Sequence, residues 1–230
     1  MPIMDEKQLA GCIDHTLLSA TTTSEQIKQL CQEAKNYGFC AVSVNPRWVS
    51  LAAELLHGSK VAVGGVVSLP LGADSTKIKV AQAKDCILAG ADEIDMVADL
   101  AAIIESDSKY LSNQLQAVLK ICRSMRPKVL LKVIIESAAL MREQKIFACQ
   151  IADKCGVDFV KTSTGMNPAG GATIEDVKLM KEAAPHCKVK AAGGIRTAKQ
   201  AIELLEAGAE RIGTSSGIQI INQFRAGQIQ

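Results

Sequence analysis

Lys188-Val189-Lys190-Ala191-Ala192-Gly193-Gly194-Ile195-Arg196 leads into Thr197–Ala209 and then into Arg211-Ile212-Gly213-Thr214, and this stretch decides the fold. Lys188–Ala192 and Arg211–Thr214 are short, apolar-rich runs of strand length. Between them Ala201, Leu204 and Leu205 recur at helical spacing. Thr197 with Gln200 three residues on is a capping box, and Gly208 is a stop signal. A strand, a glycine loop, a capped helix and a second strand make one unit of a parallel α/β sheet.

Working outward, the same alternation fills the chain. The strands read as Cys12–Leu17, Cys40–Val44, Val61–Leu69, Glu93–Ala98, Val129–Ile135, Asp158–Thr162, Lys188–Ala192 and Arg211–Thr214. Helical spacing lies between them, as in Ile27, Leu30, Cys31 and Ala34. Asn36-Tyr37-Gly38 and Ala89-Gly90-Ala91 mark returns from helix to strand. Eight strands alternating with helices, with no low-complexity linker, predict an α/β fold: a single-domain (β/α)8 barrel, or TIM barrel, over residues 1–230. A short N-terminal lead-in and a C-terminal tail flank it. A doubly wound open sheet is the alternative. The lack of a Gly-x-Gly-x-x-Gly after the first strand weakens a dinucleotide-binding version of it.

Composition agrees. Of the 230 residues 48% are hydrophobic and only 3% aromatic, so small aliphatic side chains must fill the interior, as suits helices on parallel strands. A net charge of +2, with no basic block, gives no reason to expect a nucleic-acid partner. No apolar run reaches membrane-spanning length, and the acidic start MPIMDEKQLAGC does not read as a secretion signal, so a cytoplasmic protein without a membrane partner is expected. The eight cysteines are dispersed, with no Cys-x-x-Cys, and read as reduced thiols packed as small hydrophobes. Neither they nor His15, His57 and His186 have metal-site spacing, so neither metal nor cofactor is expected. His15, beside Asp14, reads as structural.

Function in such a barrel sits at the C-terminal ends of the strands. Three strands carry ionisable residues there. In Glu93-Ile94-Asp95-Met96-Val97, alternation puts Asp95 opposite Ile94 and Met96, and so inward. Lys161 ends the sixth strand and Lys190 lies on the seventh, about 5 Å apart by sheet spacing. Two ammonium groups that close repel, and burial acts the same way, so one loses its proton readily. A neutral amine is what a Schiff-base lysine requires. Lys132, inside Leu130–Ile134, calls for a carboxylate such as Asp95, unless it marks a solvated strand end. Thr162-Ser163-Thr164-Gly165, Gly193-Gly194 and Gly213-Thr214-Ser215-Ser216-Gly217 offer hydroxyls, close backbone approach and a helix N-terminus. That chemistry suits a phosphate.

Asp14-His15-Thr16-Leu17-Leu18, Pro70-Leu71-Gly72, Gly90–Val97, Leu131–Glu136, Val160–Gly165 and Lys190–Arg196 together resemble the deoxyribose-phosphate aldolases, in order and over nearly the whole chain. The resemblance implies a class I aldolase that reversibly cleaves 2-deoxy-D-ribose 5-phosphate to acetaldehyde and D-glyceraldehyde 3-phosphate. It implies Lys161 as the Schiff-base amine and Lys190 with Asp95 as the proton-transfer pair. Thr164, Gly165, Gly193, Gly194, Ser215 and Ser216 would surround the phosphate, with Lys132 and Asp14 in support. Sugar-phosphate and aldehyde substrates are the partners implied, and a homodimer is compatible with it. Met166, Ser68-Leu69 and Asn167-Pro168-Ala169 differ from common family versions and bear on substrate preference and loop closure. Another Schiff-base aldolase or a non-catalytic sugar-phosphate binder would be rival readings.

Overall fold

The computed structural model describes residues 4–124 and 127–228. Met1–Ile3 of the lead-in and residues 229–230 of the tail lie outside the described residues. Eight parallel strands close on themselves in sequence order: β1 (Ile13–Leu17), β2 (Ala41–Val44), β3 (Ala62–Val67), β4 (Glu93–Val97), β5 (Leu130–Ile134), β6 (Phe159–Lys161), β7 (Lys188–Ala192) and β8 (Arg211–Thr214). Closure pairs β8 with β1, Gly213 lying opposite Asp14. The open-sheet alternative is therefore excluded.

Helix α1 (Glu6–Ala10) precedes β1, and α2 (Ser24–Tyr37) and α3 (Val49–Leu56) follow the first two strands. Next come α4 (Thr76–Leu88), α5 (Leu100–Ile104), α6 (Ser108–Ser124), α7 (Arg142–Cys155), α8 (Ile174–Ala183), α9 (Ala198–Glu206) and α10 (Gly217–Arg225). The local signals explain their bounds. Thr23 and Thr197 each form a capping box with a glutamine three residues on, and Gly38 ends α2 in the left-handed region at φ 70°. Ile27, Leu30, Cys31 and Ala34 bury one stripe of α2 against the strands. All eight cysteines are free thiols. Strand β3 is shorter than Val61–Leu69, because Ser68 takes a left-handed φ of 56° and turns the chain out of the sheet. No helix among the described residues is long and apolar enough to cross a membrane.

The register sets what faces inward. Each strand is displaced one residue down the axis from its predecessor, so inward side chains from alternate strands fall at one height. Four such layers can be traced through the pairings. The lowest holds Ala41, Glu93, Phe159 and Arg211. Above it lie Asp14, Gly64, Lys132 and Lys190, then Ser43, Asp95, Lys161 and Gly213, then Thr16, Val66, Ile134 and Ala192. Ile94, Met96, Val160, Val189 and Ile212 point the other way, into the apolar shell under the helices. Most barrels of this kind fill these layers with branched aliphatics. Here the two middle layers are charged.

Candidate active site

Asp95 is the hub. Its Oδ2 accepts from Lys161 Nζ at 2.7 Å and from Lys190 Nζ at 2.7 Å, and its Oδ1 accepts from Lys132 Nζ at 2.9 Å. The register accounts for this convergence, since Asp95 lies opposite Lys132 across β4 and β5, and Lys161 opposite Lys190 across β6 and β7. Lys190 also reaches Asp14 Oδ2 at 2.6 Å, and Lys132 also meets Glu93. Beneath them Arg211 holds Glu93 with two bonds, 3.1 and 2.9 Å, and Asp14 through Nε at 2.6 Å. All seven residues are buried. Lys132 is thus an interior residue paired with carboxylates, not a solvated strand end.

Three carboxylates (Asp14, Glu93, Asp95) therefore face four basic groups (Lys132, Lys161, Lys190, Arg211) in a buried interior. The cluster is electroneutral when one amine is unprotonated, and buried net charge is costly. Lys161 is an amine held toward its neutral form. Burial pushes it down most; Asp95 opposes this, and the neighbouring charge of Lys190 adds to the lowering. The result is a pKa of about 8 against an ordinary 10.5. Burial alone would raise Asp14, but Lys190, Arg211 and Lys132 outweigh it and hold the carboxyl at about 2. Asp95 is lowered well below the usual carboxylate range by Lys132, Lys161 and Lys190, against the opposing effect of burial. Lys132, also deeply buried, is raised by Asp95, Glu93 and Asp14. Roughly a tenth of Lys161 is then neutral at pH 7, a few hundredfold more than for an ordinary lysine.

Above Lys161 opens a cavity of about 350 Å³ at the C-terminal end of the barrel, lined by Thr16, Thr164, Gly165, Gly193, Gly194 and Ser215, with Met166 and Arg196 at its mouth. Strands β6 and β7 are locked beneath it by Thr162, whose Oγ1 donates to Ala192 O at 3.1 Å and accepts from Ala192 N at 3.0 Å. Gly193 has φ 89°, and a Cβ there would come within 3.0 Å of Gly171 Cα, so only glycine lets these loops meet. Five of the six sequence-predicted phosphate residues converge on this cavity. Ser216 does not. Its amide donates to Thr214 Oγ1 at 2.9 Å as α10 begins, and its side chain borders a separate cavity with His15, Glu33 and Gln219. His15 itself pairs with Glu33 at 2.8 Å outside the barrel wall.

Residues 9–223 match the family model described as DeoC/LacD family aldolase. The chain belongs to this family of aldolases. The deoxyribose-phosphate aldolase of Thermococcus kodakarensis is 48% identical over 221 residues, covering 95% of this chain and 97% of its own. That of Aciduliprofundum boonei is 50% identical over 219 residues, with 95% and 97% covered. The tetrameric deoxyribose phosphate aldolase of Aeropyrum pernix superposes with a TM-score of 0.89 at 29% identity, covering 96% of this chain and 93% of that one.

Three residues of this aldolase's site were not singled out from sequence. Glu93 and Arg211 sit at strand starts, where charges are usually solvated. Only barrel closure brings them together under Asp14 and Lys132. Glu136, just after β5, is buried in the left-handed region at φ 54°. It accepts from Thr164 N at 3.1 Å and from Thr164 Oγ1 at 2.6 Å, and so clamps the loop that follows Lys161. Strain of that kind persists where the surroundings hold it.

Proposed function

We propose that this chain is a class I aldolase that reversibly cleaves 2-deoxy-D-ribose 5-phosphate to acetaldehyde and D-glyceraldehyde 3-phosphate. The observation that carries the reading is Lys161: a buried amine with a pKa of about 8, bonded to Asp95 at the floor of the cavity, beside Lys190. Neutral Lys161 adds to the substrate aldehyde and loses water to give an imine. Protonated, that imine draws the electron pair of the C2–C3 bond into an enamine far better than a carbonyl would. Cleavage needs a base for the C3 hydroxyl proton, and Asp95 with Lys190 is the relay within reach. The enamine then takes a proton at C2, and hydrolysis returns Lys161 and acetaldehyde. The iminium is its own electron sink, so the reaction asks for no cofactor.

The phosphate is assigned to the rim made by Thr164, Gly165, Gly193, Gly194 and Ser215, where backbone N–H groups and hydroxyls are the donors. The same reading carries a cytoplasmic location, to which eight free thiols are suited, and small-molecule partners rather than nucleic acid or membrane. A homodimer is the assembly to look for.

Acetaldehyde release from deoxyribose 5-phosphate tests the reaction, and no release would refute it. Ser215→Asp tests the rim. A carboxylate beside the dianion should raise KM for the phosphorylated substrate roughly tenfold or more, while unphosphorylated deoxyribose changes little. Equal effects on the two substrates would move the phosphate elsewhere.

A further inference from the structure

Four inward positions lie at the height of the reacting lysine: Ser43 from β2, Asp95 from β4, Lys161 from β6 and Gly213 from β8. Three are accounted for. Lys161 is the amine, Asp95 its carboxylate, and Gly213 has no room for a side chain, since a Cβ would lie 3.0 Å from Lys190 Cε. Ser43 is the fourth. In a ring of eight strands β2 and β6 stand on opposite sides, so Ser43 faces Lys161 across the barrel axis.

Its hydroxyl is buried and no protein group bonds it. Such an orphaned group is costly unless a partner arrives. Among the described residues three serine hydroxyls share this condition, those of Ser43, Ser137 and Ser163, and of these Ser43 alone belongs to a strand of the barrel wall. The hydroxyl one layer up, on Thr16, is already donated to Asp14 O at 2.9 Å. Beside Ser43, β3 carries Gly64, which sets no side chain against the serine: a Cβ there would lie 3.9 Å from its Oγ.

We propose that the Ser43 hydroxyl donates a hydrogen bond to the C1 oxygen of the substrate aldehyde, the oxygen lost as water when the imine with Lys161 forms. This rests on Lys161 being the Schiff-base amine. Nζ bonds to C1 from the β6 side, and the carbonyl π pair moves onto the oxygen on the far side, where Ser43 stands. The oxygen departs as water after taking two protons. One comes from Nζ after addition, and the other from solvent in the cavity above. The iminium keeps the remaining N–H. Ser43 gives up no proton; it fixes the oxygen and the negative charge growing on it.

Rapid-quench borohydride trapping with acetaldehyde tests this on the full chain. In the wild type the label should appear on Lys161. In Ser43→Ala, imine formation should slow about tenfold, the scale of one lost hydrogen bond. The pH midpoint of trapping should stay put and the melting temperature should not fall, which separates loss of a substrate contact from damage to the charge cluster. A Ser43→Ala variant that forms imine at the wild-type rate, or that slows only through a moved pH midpoint or a lowered melting temperature, overturns the role of Ser43 alone. No label on Lys161 in the wild type would overturn it together with the reading of Lys161.

Discussion

Lys161→Ala is expected to lose turnover of deoxyribose 5-phosphate by at least about 10⁴-fold, because every later step is built on the bond its amine forms. Trapping with acetaldehyde and borohydride should vanish with it. The variant should nevertheless fold. Removing Lys161 leaves Asp14, Glu93 and Asp95 facing Lys132, Lys190 and Arg211, a balanced set of charges. A melting temperature within a few degrees of wild type, measured beside the activity, shows that the loss is chemical. Substantial residual turnover would mean that another amine carries the substrate.

Lys190→Met separates two effects that act on the same proton. Lys161 is depressed to about 8 mainly by burial, with the Lys190 charge adding to it and Asp95 opposing. Replacing that charge by a neutral stem removes one lowering influence and frees Asp95 to attract the remaining proton. Three carboxylates would then face Lys132, Arg211 and Lys161, and neutrality would require Lys161 to stay protonated. All of this raises its proton affinity. Wild-type trapping should rise as pH passes through about 8, where the neutral amine becomes the major form. In Lys190→Met that rise should move about one unit or more to alkaline pH, each unit costing tenfold in neutral amine at pH 7. Trapping should recover at high pH, since burial is untouched. Turnover should not recover, because the proton relay is gone, a loss of about 10²- to 10⁴-fold. Lys190→Arg keeps the charge but gives up protons poorly, and should preserve trapping near neutrality while turnover fails. An unmoved pH profile in Lys190→Met would leave burial as the only influence on Lys161.

The residues of this cluster differ in how far sequence could reveal them. Lys161, Lys190 and Asp95 break an otherwise apolar alternation, and period 2 turns them inward without any knowledge of neighbours. Lys132 breaks it too, but whether it meets a carboxylate depends on the β4–β5 register, which one strand cannot specify. Arg211 and Glu93 start their strands and look solvated. Their burial follows from β8 closing onto β1, a contact between segments about two hundred residues apart. Backbone detail was the hardest to read. Glu136 resembles any residue ending a strand until its left-handed turn is seen. Ser215 and Ser216 are the same residue type side by side, and only the turn into α10 lets Ser215 line the cavity above Lys161 while Ser216 borders the outer cavity alone. The helix caps, by contrast, are local chemistry, and Thr197 with Gln200 appears as the residues alone indicate.

The central claim is that a lysine buried among carboxylates and other cations serves this barrel as a covalent catalyst. It is met most directly by mass spectrometry of the wild-type protein after borohydride reduction with acetaldehyde present. A single added ethyl group is expected, located by peptide mapping on Lys161. A label found mainly on Lys190 or Lys132, or no covalent adduct in a protein that still releases acetaldehyde from deoxyribose 5-phosphate, would contradict it.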